Sequence, residues 1–141
     1  MGQRVGLDRK VMKWLTGIYF VILGVIVFMA DQKRYQPLFQ RIRALPYGDK
    51  LGHLILMGVF SFLLNMALSC RTVRIWKIEL LKGSLIVALL VTLEEFSQLF
   101  IKYRTFDPVD LFFDYMGIFF FGLLAYLLTR RRLSKAETKQ G

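Results

Sequence analysis

The sequence predicts an all-α membrane protein, a four-helix transmembrane bundle with both termini cytoplasmic. Three observations lead there. The 141-residue chain is 55% hydrophobic and 15% aromatic, with a mean hydropathy of +0.46, whereas a soluble domain of this size needs a largely polar surface. Four windows, 14–30, 51–68, 83–101 and 111–129, approach the ~20 apolar residues that cross a bilayer as a helix. All 20 Lys and Arg fall in the short segments outside those windows. Charge distributed in this way is a topology signal rather than the continuous basic face that nucleic acid requires, so the net charge of +10 does not imply a nucleic-acid partner.

Residues 1–13 form a basic tail, and the first span follows at 14–30. Arg9, Lys10 and Lys13 before an apolar run resemble a secretory signal. Phe28, however, stands where cleavage after Ala30 would need a small residue, so the segment is expected to be an uncleaved anchor. The loop 31–50 mixes apolar and basic residues from Tyr35 to Arg43 and is expected to lie along the lipid headgroups. Spans at 51–68 and 83–101 flank the basic loop 71–82. The loop 102–110 leads to the last span, 111–129, and a basic tail at 130–141, polar after Leu133 and expected to be mobile.

Positive-inside bias sets the direction. The N-terminal tail, second loop and C-terminal tail carry 13 Lys and Arg: Arg4, Arg9, Lys10, Lys13, Arg71, Arg74, Lys77, Lys82, Arg130, Arg131, Arg132, Lys135 and Lys139. The other side carries seven: Lys33, Arg34, Arg41, Arg43, Lys50, Lys102 and Arg104. Both termini are therefore expected inside, in a bacterial cytoplasmic membrane. The single Cys70 leaves no intrachain disulfide and no Cys-based metal site, and neither a metal nor a cofactor is expected.

With that topology the second span starts outside, the third ends outside and the fourth starts outside, and the unusual polar residues gather at those three ends. They are Asp49, Lys50 and His53; Glu94, Glu95, Gln98 and Arg104; and Asp107, Asp110 and Asp114. Structural roles account for some of them. Asp107 before Pro108 reads as an N-cap with proline at the first helical position, and Asp110 completes an acidic first turn. Asp49 after Gly48 reads as a cap on the second span, with Lys50 as an interfacial anchor.

Glu94 and Glu95 fit no capping role, and the structural alternative for Glu95 with Gln98 is hydrogen bonding to neighbouring helices. Glu95 precedes Ile101 by six residues, about 9 Å into the span. An acidic residue at a span's centre costs roughly 2.5 to 3.5 kcal/mol on insertion scales, a penalty leucine would avoid, so intramembrane acids point to function. At 100° per residue, Gln98 falls about 40° and Glu95 about 100° from Glu94, which places the amide between the two acids. Asp110, Asp114 and Gly117 lie within about 60° on the fourth span, the glycine allowing a neighbouring backbone to approach. Asp49 and His53 are an i, i+4 pair, and His53 beside acids from two other helices is a candidate proton carrier.

In order, DKLGH (Asp49, Lys50, His53), EFSQ (Glu95, Gln98), RTFDPVD (Arg104, Asp107, Asp110) and Gly117 resemble the VanZ-like family of small bacterial membrane proteins, over roughly residues 45–128. Three positions depart from the family pattern: Met57 stands in place of the usual Tyr, Asp114 in place of the common Asn, and Gly122 lies one residue beyond the usual second glycine. The resemblance implies kinship with an accessory factor of low-level resistance to the glycopeptide teicoplanin, and implies no defined reaction.

Taken together, the residues lead to an outward-facing polar pocket at the bilayer edge for a lipid-linked or anionic amphipathic envelope molecule. Lys50 and Arg104 would hold an anionic group, with Asp49, Gln98, Asp107 and Asp114 completing the binding surface. If chemistry occurs there, His53, Glu95 and Asp110 are the candidate acid and base groups. Proton-coupled transport is an alternative, for which a homo-oligomer would supply further helices, and so is a role as a membrane assembly partner.

Overall fold

The computed structural model describes residues 2–102 and 104–138, with side chains except at 2–8, 43, 132, 133 and 135–138. Lys139 and the side chains of Arg4, Arg43, Arg132 and Lys135, all part of the positive-inside count, lie outside the described set. The elements are α1 (Gly2–Asp31), α2 (Gln36–Arg43), α3 (Gly48–Ala67), β1 (Thr72–Ile75), β2 (Ile78–Leu81), α4 (Lys82–Ser97) and α5 (Pro108–Thr138). Within them, Arg9–Asp31, Gly48–Ala67, Lys82–Phe100 and Pro108–Arg131 are long and apolar enough to cross a membrane. At 1.5 Å per residue, the 20 residues of α3 extend about 30 Å, the thickness of the hydrocarbon core.

Local chemistry sets where each helix stops and starts. A 3₁₀ turn at Lys33–Tyr35 ends α1, and Pro37 in the first turn of α2 occupies a position where a missing N–H costs nothing. The segment expected along the headgroups is thus an amphipathic helix, with Leu38 and Ile42 exposed. Tyr47, at φ 59°, precedes α3 without a side-chain cap. Asp49 therefore sits in the first turn of α3 and does not cap it, a correction to the sequence reading. At the other end of α3, Ser69 and Cys70 both adopt positive φ, and the Cys70 N–H donates to the Asn65 carbonyl at 2.7 Å.

That reversal launches a two-stranded antiparallel hairpin, β1 against β2, inside the basic loop 71–82. At its base the Lys82 N–H donates to the Arg71 carbonyl at 2.9 Å, so α4 begins where the ladder ends. The sequence reading had no strand here, because eight strand residues carry too little alternation to stand out beside the spans. In the polar tail after Leu133, α5 continues to Thr138.

Packing centres on α3. Its most extensive contact is with α5, and α1 and α4 flank it. Leu23, Phe60, Val87, Val91 and Ile118 form the buried apolar centre, one or more from each spanning helix. Large apolar side chains such as Ile18, Val21, Phe28, Leu89, Leu93, Phe119 and Phe120 remain exposed, as a lipid-facing surface requires. Between the hairpin and the bundle centre, Asn65 and Ser61 bind Ser84 of α4: Asn65 Nδ2 donates to Ser84 Oγ at 2.8 Å, and the two serine hydroxyls are 3.1 Å apart. The sequence reading did not single out these three residues, which tie α3 to α4.

Candidate functional site at the polar end of the bundle

The capping reading holds for Asp107. Its Oδ1 accepts the Val109 N–H at 2.8 Å, and Pro108 opens α5. The same aspartate turns its other oxygen to Lys50 Nζ of α3, 2.6 Å away, and Lys50 also donates to Asp110. One ammonium therefore joins the start of α3 to the first turn of α5. One turn deeper, His53 Nδ1 lies 3.1 and 3.2 Å from the two oxygens of Asp114, and His53 Nε2 lies 3.6 Å from Asp110. Both ring nitrogens face a carboxylate.

This close meeting of α3 and α5 depends on Gly117. A Cβ built there would strike the Leu54 carbonyl and approach Leu54 Cα to 3.1 Å, so a side chain would force the helices apart. Asp114 has no solvent exposure, and Asp110 has 8%. The predicted shared face of Asp110, Asp114 and Gly117 is the face turned to α3.

The end of α4 supplies the other half. Tightening from α-helix into the 3₁₀ turn Gln98–Phe100 holds Gln98 over the last α-helical turn. Its Nε2 donates to Glu95 Oε2 at 2.6 Å and lies 3.2 Å from Glu94 Oε2, so the amide sits between the two acids as the helical spacing predicts. Glu95, wholly buried, accepts the Asp107 backbone N–H at 3.2 Å through its other oxygen. Arg104 reaches back to Glu94 at 3.0 Å and across to Asp31 at the end of α1 at 3.4 Å. Asp31 was missed in the sequence, where it ends the first span one residue past the apolar window. Arg104 Nε is buried and has no hydrogen-bond partner among the described residues.

All nine expected site residues thus gather at one end of the bundle, linked by side-chain contacts from α3, α4, α5 and the 102–107 segment. Asp49, His53 and Asp110 bring carboxylate and imidazole ligand atoms within 4.8 Å of one another, a spacing a metal ion could bridge. Lys50 already places its ammonium on Asp110, supplying positive charge at that point. Among the groups at this end, Asp107 lies outside the spans, and the hydrogen bond from Lys50, followed by that from the Val109 N–H, holds its carboxyl below the ordinary aspartate value. A groove of about 480 Å³ lies elsewhere, between the hairpin, α4 and α5, and holds none of these residues.

Four helices long and apolar enough to cross a bilayer, with an ionisable cluster gathered at one end of three of them, define a multi-pass membrane protein. A family model described as VanZ/LLP1 matches residues 17–130, and the chain belongs to the VanZ/LLP1 family. No curated protein and no solved structure matches it.

Proposed function

We propose that the polar cluster is an outward-facing site, at the extracytoplasmic edge of a bacterial cytoplasmic membrane, for the head of a lipid-linked or amphipathic cell-envelope molecule. Both termini then lie inside, as the distribution of Lys and Arg favours. The observation that carries the reading is Arg104: its guanidinium is held by Asp31 and Glu94 while its buried Nε has no acceptor among the described residues. Buried donors are rarely left unpaired, and an anionic oxygen of a ligand would satisfy this one.

Lys50 is shared between two carboxylates and can give up one of them to a phosphate or carboxylate without losing the other. Seven of the ten acidic residues lie at this end: Asp107 and Asp110 on Lys50, Asp31 and Glu94 on Arg104, and Asp49, Glu95 and Asp114 against His53 and Gln98. Such an excess of acceptors favours a head that also presents hydroxyl, amide or ammonium donors, such as a sugar or peptide carrying an anionic group. His53, facing Asp110 and Asp114, is the group best placed to exchange a proton with it. Binding an envelope precursor in this way is a route by which a VanZ-like protein would alter the response to a glycopeptide antibiotic.

The test is susceptibility to teicoplanin in cells producing the wild type, Arg104→Ala or Glu95→Gln at equal membrane levels. The wild type is expected to raise the inhibitory concentration and both variants to abolish the rise. A rise of equal size in all three would refute the assignment.

A further inference from the structure

The hairpin at the opposite end of α3 has no part in the polar site, and its two faces differ sharply. The register pairs Val73 with Leu80 and Ile75 with Ile78, while Thr72 faces Leu81 and Arg74 faces Glu79. Directly paired residues of an antiparallel ladder share a face, and successive residues alternate. One face is therefore Val73, Ile75, Ile78 and Leu80 throughout, with Ile75, Ile78 and Leu80 exposed.

At the tip, Trp76 is 95% exposed and adopts φ 57°. A left-handed backbone there suits glycine or asparagine, so the chain holds an indole at the tip against its backbone preference. Around this apolar ribbon stand Arg71, Arg74, Lys77 and Lys82, with Glu79 as the single acid between Arg71 and Lys82.

We infer that the hairpin is a binding surface for anionic lipid headgroups. It is the direct link between two membrane spans, α3 and α4, which confines it to the bilayer surface. Its exposed apolar face and indole match the interfacial region, where tryptophan concentrates, and its cations complement phosphate headgroups. In this arrangement the aliphatic face and Trp76 enter the headgroup boundary while Arg71, Lys77 and Lys82 recruit phosphatidylglycerol-like lipids around α3 and α4, and Arg74 pairs across the opposite face with Glu79. The inference does not depend on what the opposite, polar end binds.

The chain has two tryptophans, so Trp14→Phe in the full-length protein leaves Trp76 as the sole indole. Reconstituted in mixed bilayers of phosphatidylglycerol and phosphatidylcholine, with bromine on the upper acyl chain of one lipid at a time, Trp76 is expected to emit to the blue of a water-exposed indole. Brominated phosphatidylglycerol should quench it more strongly than brominated phosphatidylcholine. Lys77→Gln, at the exposed turn, should lower that preference by up to about fivefold and leave the melting temperature unchanged.

Three results would overturn the inference. They are water-like emission with no quenching, equal quenching by both lipids, and blue emission that escapes lipid quenching and grows with protein concentration, which would make a second copy the occupant.

Discussion

His53 and Asp114 meet across the α3–α5 contact, with both carboxylate oxygens of Asp114 within 3.2 Å of the His53 Nδ1 nitrogen. Asp114 is wholly buried, so the imidazole is what makes a carboxylate tolerable at that depth. His53→Ala should cost about 3 kcal/mol of stability by leaving a buried acid without this partner. Asp114→Asn in the same background should restore part of it, since the amide carries no charge to bury. Unfolding of the purified protein in mixed micelles measures both; a neutral His53→Ala would mean that the pair contributes nothing.

Gly117 sets how closely α3 and α5 approach, so its replacement should act on the whole polar end. Gly117→Ala forces a Cβ into the Leu54 backbone and is expected to destabilise by about 1 to 3 kcal/mol. Gly24→Ala on α1 meets nothing within 4 Å and should be close to neutral. Equal melting temperatures for the two variants would contradict the packing described.

Asp107 gives the cluster a dependence on acid. Its carboxyl is held below the ordinary value of 3.8, first by Lys50 and then by the Val109 N–H. A lowered pKa means that the contribution to stability is fully present above the unfolded value and is lost as pH falls through the folded one. Asp107→Asn should therefore melt below the wild type at neutral pH, and the gap should narrow once pH drops under 3.8. A gap constant down to about pH 3 would show that the Lys50 contact is not electrostatic.

Cys70 reports on the other end. It is 8% exposed, burial raises its thiol pKa, and its contact with Thr129 at 3.3 Å opposes that rise. A maleimide should label it slowly in the native protein and rapidly after denaturation. Fast native labelling would mean that α3 and α5 part near Thr129.

The spans were legible because about 20 apolar residues have no other stable home than a helix in lipid. The convergence of Glu95, Gln98 and Asp114 was legible for a related reason: acids inside such a helix are costly unless they meet partners. Spacing also fixed Gln98 between Glu94 and Glu95, and the close approach at Gly117. Asp31 escaped because an acid at the end of a span is inexpensive there and carries no signal of a partner 73 residues away. The hairpin escaped because its alternation is short and its turn holds Trp76 in place of glycine. Lys50 and Arg104 were read as the cations for an anionic group; that each is also held by two carboxylates depends on tertiary geometry and not on spacing.

The most direct test of the whole account is a double-mutant cycle on Lys50 and Asp110, the pair that ties the start of α3 to the start of α5. Stability is measured for Lys50→Met, Asp110→Asn and the combination. The account predicts that each single change destabilises and that the double variant loses less than the two together, with a coupling of about 1 kcal/mol or more. Strict additivity would mean that these residues do not meet, and the site would have no basis.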